Sequence, residues 1–191
     1  MKPQEMLDIL AVAEKLKCNT RHCYTSNGRR ESVAEHSWRI ALMAMLLSGE
    51  EEFKTVDMNK VIRMCLIHDL GEAITGDIPA FWKKEKDEEN EDQLLEQWVS
   101  GFPESQKQEF EYLLQEMNEQ KTLEAKTYKA LDKLEAVIQH NESDIHTWAP
   151  NEYELNLTYA QDKVAFSEYL KEVRELVREE TLAKIAAAGE G

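Results

Sequence analysis

Residues that break helices are scarce in this sequence, and long apolar runs are absent from it. Only 7 glycines and 4 prolines occur among its 191 residues, which argues against a turn-rich all-β fold. No stretch approaches the roughly 18 consecutive apolar residues that a membrane span requires. The first residues also lack the apolar segment of a secretory signal peptide. We therefore expect a chain with no membrane partner.

Cysteine is scarce as well. The three cysteines, Cys18, Cys23 and Cys65, form no Cys-x-x-Cys pair and are odd in number. Such a set does not indicate a disulfide framework. We interpret the three as reduced thiols of a cytoplasmic protein, with Cys65 in the core.

Basic residues are outnumbered by acidic ones, so that the formal net charge is −15. Long nucleic acids are bound chiefly by Lys and Arg side chains against the phosphate backbone, so a nucleic acid polymer is not expected as a partner. A small phosphorylated ligand is still compatible with this charge if a bound metal or a local cation reverses the field at one place.

Helical periodicity dominates the chain. Ser32 and Glu35 form a capping box that predicts a helix start, and Asp57 is a candidate N-cap for the next helix. The polar segment 19–30, which contains Gly28, is predicted to be a loop, and no alternating strand pattern of useful length occurs. The fold class is therefore predicted to be all-α. The predicted helices cover residues 3–17, 32–47, 58–70, 87–100, 104–119, 123–141 and 161–186.

Three of these helices place a ligand-type side chain on their apolar face. His36 shares a face with Ile40, and His68 follows Met64 by one turn. Asp132 likewise lies on the apolar half of its helix. Burial of such groups without a partner is unfavourable, so the pattern indicates that they meet a common partner.

Asp69, directly after His68, adds a second carboxylate to this set. Two imidazoles and two carboxylates suit one divalent transition metal, such as Mn, Co, Fe, Ni or Zn. Taken singly, however, a histidine on an apolar face is more often a hydrogen-bonded core residue than a ligand, so the residue types alone leave both interpretations open.

The order of the four residues resembles the HD-domain metal-dependent phosphohydrolase superfamily, whose H…HD…D signature binds a divalent metal inside a helical bundle. Within it, the chain looks like the branch that contains the 5′-deoxynucleotidases, over about residues 5–175. Three blocks carry the likeness: ESVAEHSWRIALMA at 31–44, IHDLGEAITGDIP at 67–79 and ALDKLEAVIQ at 130–139.

The resemblance implies a metal ligand set of His36, His68, Asp69 and Asp132. Members with two or three metals insert extra histidines between the HD pair and the last Asp. Because no histidine lies between Asp69 and Asp132 here, a single metal is expected. His140 and His146 come after the last ligand and are interpreted as surface or loop residues.

A chain of this length suits one domain that buries roughly 70% of its unfolded surface. We expect a single HD domain over residues 1–191, with its core at about 31–140, a C-terminal helix at 161–186 and a frayed tail at 187–191. Related nucleotidases commonly pair, so a homodimer is also expected. The aromatic surface available for pairing would come from Trp98, Phe102, Phe110 and Tyr112.

Glu72 lies three residues after Asp69 and four after His68, so one helical turn would bring the three side chains together. A carboxylate that is not needed for coordination can orient or deprotonate a water. In the resembling nucleotidases, the matching Glu and Asp line the active site beside the metal, so the resemblance implies that Glu72 and Asp77 are catalytic and also bind substrate. For Asp77, a turn-capping role after Gly76 is an equally open alternative.

The segment 19–30 also offers arginines, whose guanidinium groups suit phosphate oxygens. In the 5′-deoxynucleotidases that this chain resembles, an Arg in the corresponding segment is followed by Trp and contacts the nucleotide. Arg21 matches that position and is the candidate substrate-binding cation, although an exposed loop arginine is the competing interpretation. The next residue here is His22 instead of Trp.

The expected reaction is hydrolysis of a phosphomonoester, most simply a (deoxy)nucleoside 5′-monophosphate, by a metal-activated water. One alternative is hydrolysis of a signalling nucleotide of the guanosine tetraphosphate type. Those enzymes carry the motif HDxxED. In this chain the residue after Glu72 is Ala73 instead of Asp, which counts against this alternative. The other alternative is a non-catalytic metal-binding module for protein interaction.

Overall fold

The computed structural model describes residues 1–79 and 82–189, except for the side chain of residue 88. Helices dominate it, and the predicted all-α class is confirmed. A membrane-spanning segment would need a longer or more apolar helix than any found in these residues. The helices are α1 (Pro3–Ala13), α2 (Val33–Leu47), α3 (Met58–Ile67), α4 (Glu72–Thr75), α5 (Glu85–Val99), α6 (Glu104–Glu119), α7 (Leu123–Glu142), α8 (Glu152–Thr158) and α9 (Glu168–Gly189); the strands are β1 (Thr20–Tyr24) and β2 (Arg30–Ser32).

Helix α7 is central, since it packs against α2, α3, α6 and α9. Its side chains Ala130, Leu131, Leu134 and Val137 are buried in the core. Complete burial of one leucine side chain contributes about 1.5–3 kcal/mol, so these contacts hold the helix in a defined rotation. That rotation sets the direction of Asp132, which lies among them.

The capping box at the start of α2 is confirmed. The Ser32 hydroxyl accepts from the Glu35 amide at 3.2 Å, and the Ser32 amide donates to the Glu35 carboxylate at 2.9 Å. Arg29 pairs with the same carboxylate from outside. The box fixes where α2 begins, and therefore which face of the helix presents His36 to the core.

Helix α3 begins where predicted but ends at Ile67 instead of Leu70. The Asp57 side chain accepts from the Lys60 amide at 3.1 Å and so caps its start. Beyond Ile67 the chain continues through tight turns into the short α4. A Cβ atom on Gly71 would lie 2.6 Å from Glu91 Cγ, so this turn needs glycine because α5 approaches it closely.

The prediction of a loop over residues 19–30 is wrong for residues 20–24 and 30, which lie in strands, whereas residues 25–29 form the turn between them. Strands β1 and β2 form an antiparallel hairpin, with Thr20 opposite Ser32 and Tyr24 opposite Arg30, and the pairing contains an irregularity between those positions. Gly28 adopts a φ of 84° in the turn. The strands show no alternation of apolar and polar residues, because most of their side chains are polar and two of them, Arg21 and His22, line a cavity.

The predicted helix over residues 161–186 is also displaced, since α9 begins at Glu168. The Ser167 hydroxyl accepts from the Leu170 amide at 3.1 Å, and the Glu52 carboxylate accepts from the amides of Glu168 and Tyr169 at 3.0 Å each. These two acceptors satisfy the first amides of the helix and define its start.

A separate short helix, α8, occupies part of the chain before α9. Arg174 is buried and donates to the Tyr159 carbonyl at 2.6 Å and to the Asn156 carbonyl at 2.8 Å, which satisfies the end of α8. At the other end, α9 extends to Gly189, beyond the predicted helix end at residue 186. Residues 190–191 of the predicted tail lie outside the described residues.

The aromatic residues expected to supply an exposed pairing surface are mostly internal. Phe102 is buried, and its ring lies 4.9 Å from that of Trp98 and 5.3 Å from that of Phe110. These edge-on contacts join α5 to α6. Tyr112 alone among the four is exposed.

We predict that Ser32→Ala lowers the free energy of unfolding by about 1 kcal/mol, because the Glu35 amide loses its acceptor. Ser48→Ala at the other end of α2 is the matched control, since Ser48 is exposed and its hydroxyl donates only to the Met45 carbonyl. That change should stay within about 0.5 kcal/mol. Chemical denaturation of both variants measures the difference, and equal effects would contradict a specific role for the box.

Candidate active site

Four side chains from three helices converge below the hairpin. His36 comes from α2, His68 and Asp69 follow the end of α3, and Asp132 comes from α7. His36 Nε2 lies 3.4 Å from Asp132 Oδ1 and 3.9 Å from Asp69 Oδ2. His68 Nε2 lies 3.0 Å from Asp69 Oδ2 and 3.9 Å from Asp132 Oδ1. Donor atoms bound to one ion at about 2.0–2.3 Å are separated by such distances.

Each imidazole is held in one orientation by its other nitrogen. His36 Nδ1 donates to the Glu135 carboxylate, and His68 Nδ1 donates to the Cys65 carbonyl at 2.9 Å. In both rings this leaves Nε2 facing the two aspartates. Histidine ligands of metals are usually oriented in this way by an acceptor behind the ring.

The donor set fits a divalent cation. Both Nε2 atoms are buried and have no hydrogen-bond partner within the described residues, although carboxylates lie close by. Buried polar atoms normally have partners, so two such atoms pointing at the same place indicate a site for a ligand. His36, His68 and Asp69 form a group whose donor atoms can hold one ion.

Glu135 was not singled out by the sequence interpretation. It is completely buried and lies three residues after Asp132, so both carboxylates project from the same side of α7. Burial opposes its ionisation, yet His36 holds the pKa of Glu135 below its usual range. The spacing from Asp132 was the only feature of the sequence that could have indicated it.

Two lysines of α7 were also missed. Lys129 Nζ lies 3.0 Å and Lys133 Nζ lies 3.4 Å from Asp132 Oδ2. Burial opposes ionisation of Asp132, yet these two cations hold its pKa well below the usual range. The carboxylate therefore remains ionised and available as a ligand.

Glu72, at the start of α4, is only 5% exposed. Its Oε2 atom has no hydrogen-bond partner within the described residues. Burial, reinforced by the charges of Asp69 and Asp77, raises the pKa of Glu72 to about 10. The carboxyl therefore favours its protonated form.

Asp77 and Arg21 both line the cavity described below. Asp77 is half-buried, and burial raises its pKa. Arg21, on β1, is not an exposed loop residue. Its Nε lies 3.2 Å from Glu31 Oε2, and its Nη1 lies 3.9 Å from Asp69 Oδ2. These contacts hold the guanidinium beside the ligand group.

The other two arginines of this segment lie elsewhere. Arg29 is exposed and paired with Glu35, and Arg30 stacks over the Tyr24 ring at 5.7 Å. Arg21 is therefore the arginine of the hairpin that reaches the site.

One cavity opens beside these groups. It combines acidic ligand atoms, a buried carboxyl and several cations, which is the combination that phosphate transfer requires. Its lining includes Arg21, His22, Asp69, Glu72, Asp77, Ile78, Lys83, Lys129, Asp132, Lys133, His140, Glu152, Asn156 and Tyr159.

The interpretation of His140 as a surface or loop residue is wrong. It lies in α7, is 6% exposed, and contacts Cys23, Glu152 and Trp148. Its polar neighbours come from distant parts of the chain, so the helical pattern around it gave no indication of them. His146 is exposed, as predicted.

Comparison with known proteins agrees with this geometry. The family described as HD domain matches residues 13–174. The human 5′-deoxynucleotidase HDDC2 is 30% identical over 191 residues, which cover 98% of this chain and 92% of that protein. The Dictyostelium discoideum 5′-deoxynucleotidase HDDC2 is 34% identical over 142 residues, covering 70% of this chain and 74% of that protein.

A solved structure is similar as well. The crystal structure of a predicted metal-dependent phosphohydrolase from Magnetospirillum magnetotacticum MS-1 superposes with a TM-score of 0.79 at 29% identity, covering 95% of this chain and 93% of that one. The predicted resemblance is confirmed: the chain belongs to the HD domain family.

Proposed function

We propose that this protein is a metal-dependent phosphohydrolase that cleaves nucleoside 5′-monophosphates. The observation that supports this most directly is the pair of buried Nε2 atoms of His36 and His68, which face two aspartates at the floor of a cavity lined by cations. The 5′-deoxynucleotidase relatives support the nucleotide substrate, and they are also the support for a deoxy preference.

In this proposal, His36, His68, Asp69 and Asp132 hold one divalent transition metal, such as Mn, Co, Fe, Ni or Zn. When bound, such an ion activates a water and stabilises charge on a phosphoryl oxygen. Glu135 and the Cys65 carbonyl keep the two imidazoles oriented, and Lys129 with Lys133 keeps Asp132 ionised.

Glu72 is the proposed proton-transfer group. Its unpartnered Oε2 is placed to orient a water and accept its proton, which requires the carboxylate form. The high pKa of this buried group favours the protonated form, and a nearby divalent cation shifts the balance toward the carboxylate. Asp77 borders the same cavity and is proposed to share in substrate contact. Arg21 is proposed to bind a phosphate oxygen.

The charges around the proposed ligands suit one phosphate. With the Glu72 carboxyl protonated, three cations face four carboxylates: Arg21, Lys129 and Lys133 against Asp69, Asp77, Asp132 and the buried Glu135. Lys83 is neutralised separately by Glu91 at 2.7 Å. A divalent ion then leaves an excess near +1, or near zero if Glu72 ionises, which suits a phosphomonoester of about −2 better than a triphosphate.

The cavity favours this proposal over the two alternatives. A module for protein interaction would have no use for an unpartnered carboxyl such as Glu72 in a pocket beside the ligands. Hydrolases of guanosine tetraphosphate-type nucleotides carry a second acid directly after the glutamate that matches Glu72. In this chain that position is Ala73, which is buried in the apolar core. The residue that would distinguish that reaction is therefore replaced by a packing residue.

The proposal also covers the domain organisation, the oligomeric state, the partners and the location of the protein. We propose one HD domain over residues 1–191, supported by the packing of α9 on α7 and α8. A homodimer is supported by exposed apolar side chains on α2, namely Trp38, Met45 and Leu46. The acidic charge supports the absence of a nucleic acid partner, and three free thiols support a cytoplasmic location.

The function is tested by phosphate release from matched nucleotides after chelation and readdition of Mn²⁺ or Co²⁺. We expect monophosphates to give a higher kcat/KM than the corresponding triphosphates, because the charge of the site suits one phosphate better than three. A triphosphate preferred over every monophosphate would contradict the proposal. Equal cleavage of ribo- and deoxyribonucleotides would remove only the sugar preference.

His68→Ala should remove about one equivalent of bound metal, that of the proposed catalytic site, and abolish hydrolysis, because one of four proposed ligands is lost. His146→Ala is the control, since it removes an exposed imidazole that lies outside the site. Metal content by elemental analysis and phosphate release are measured on both variants. Full metal occupancy in His68→Ala would show that His68 is not a ligand.

Glu72→Gln should keep the fold and the metal but lower kcat by about 10²–10⁴-fold, because proton transfer is lost while the shape is preserved. Glu109→Gln, which removes an exposed carboxylate paired with Arg63, controls for a general effect of charge. Steady-state kinetics and circular dichroism provide the measurements. An unchanged kcat would reduce Glu72 to a structural acid.

A further inference from the structure

A second group of ligand-type side chains lies beside the same cavity and is not used by the proposed reaction. It consists of His22, Cys23, His140 and Glu152, which we call the Cys–His cluster. Cys23, His140 and Glu152 are buried, whereas the His22 side chain is 26% exposed and borders the cavity together with His140.

The donor atoms of the cluster converge. Cys23 Sγ lies 3.5 Å from His140 Nδ1, 3.7 Å from His140 Nε2 and 3.9 Å from His22 Nε2. Glu152 Oε1 lies 2.8 Å from His22 Nε2 and 3.0 Å from His140 Nε2. Around a tetrahedral zinc ion these edges would be about 3.4–3.6 Å, so the four separations that involve the two Nε2 atoms are within about 0.6 Å of that geometry.

The irregular hairpin makes this convergence possible. In a regular strand, the adjacent residues His22 and Cys23 would point to opposite faces. Here the pairing of β1 with β2 is irregular between Thr20 and Tyr24, and both side chains reach His140 of α7. Irregularities of this kind commonly redirect a side chain at functional sites.

Two of the donors are oriented from behind. His140 Nδ1 contacts the Ala136 carbonyl at 2.7 Å, which directs Nε2 into the cluster. Glu152 accepts from the Ala149 amide at 2.6 Å through Oε2, which leaves Oε1 for the histidines. This is the arrangement in which neighbouring groups fix the ligands of structural metal sites.

The charges of the cluster also favour a cation. Burial opposes ionisation of Cys23, yet hydrogen bonds to His140, which has the larger effect, and to His22 lower the pKa of the thiol to about 6. Burial lowers the pKa of both histidines, but the hydrogen bonds to Cys23 and Glu152 outweigh it. They raise the pKa of His22 to about 9 and that of His140 to about 10. The cluster thus combines one sulfur, two imidazoles and one carboxylate, which are the donor types of zinc sites.

We propose that His22, Cys23, His140 and Glu152 bind a second transition-metal ion, of the zinc class, in the wall of the cavity. A thiolate with two imidazoles and a carboxylate selects zinc-type ions, whereas the catalytic ligand set contains no sulfur. The thiolate and carboxylate balance the charge of a divalent ion, so the occupied cluster is neutral and compatible with burial. The exposed edge of His22 provides a path of entry from the cavity.

Cobalt is the probe that separates the two sites. The full chain is stripped with a chelator under reducing conditions and titrated with Co²⁺, and the near-ultraviolet absorption is recorded. A cysteine thiolate bound to Co²⁺ produces a charge-transfer band, which a sulfur-free site does not. We expect this band in the wild-type protein, and we expect Zn²⁺ to displace it because zinc binds such donors more tightly than cobalt.

Variants assign the sulfur ligand. Cys23→Ser should abolish the band and remove about one equivalent of bound metal, whereas Cys18→Ser and Cys65→Ser should keep both. Glu152→Gln should keep the band and weaken Co²⁺ binding by roughly 10-fold or more, because the ligand loses its charge. This variant preserves the thiolate and so remains informative if Cys23→Ser fails to fold.

The proposal is overturned if the wild-type protein shows no thiolate–cobalt band with Co²⁺ in excess. It is also overturned if the band persists in Cys23→Ser or disappears in Cys65→Ser. In that case, the Cys–His cluster is a hydrogen-bonded network that holds the hairpin on α7. The band does not depend on hydrolysis, so this result and a failure of the phosphatase proposal can be told apart.

Discussion

The structure depends on the neutralisation of carboxylates buried around α7. Asp132 and Glu135 project from one side of this helix, and Asp69 meets them from the turn after α3. An uncompensated buried charge costs several kcal/mol, so these groups require cations. Lys129, Lys133 and Arg21 supply part of the compensation. A divalent ion among His36, His68 and the two aspartates, as proposed, would supply the rest and would give partners to the two buried Nε2 atoms.

This constraint explains the position of α7. A helix that carries buried charges must be fixed by apolar contacts on its remaining surface, and the leucines and small residues of α7 provide them against four neighbouring helices. The same helix carries Lys129, Asp132, Lys133 and Glu135 within two turns and His140 one turn later. The rotation of α7 therefore fixes the directions of the proposed ligand Asp132, of the two lysines that balance its charge and of Glu135, which orients His36. Small errors in the packing of α7 would disturb all of them together.

The parts of this architecture that could be predicted are those encoded by local spacing. Ser32 with Glu35 identifies the start of α2 because a capping box involves only neighbouring residues. The helical positions of His36 and Asp132 follow from the apolar residues one turn away. In contrast, Arg21 and His140 acquire their surroundings from tertiary contacts, such as that of Arg21 with Asp69 and that of His140 with Cys23. Their neighbours in sequence are ordinary for a loop and for a helix, so nothing local distinguishes them.

The hairpin shows why the rest of the site could not be predicted from the sequence. Its strands are stabilised by pairing with each other and by contacts with α7 and α2, and neither leaves an alternating apolar pattern in the sequence. The irregular pairing then places three consecutive residues, Arg21, His22 and Cys23, against the ligands and α7. A regular strand would direct the middle of three consecutive side chains away from the other two. The departure from regular structure is therefore what brings the guanidinium and the Cys–His cluster to one cavity.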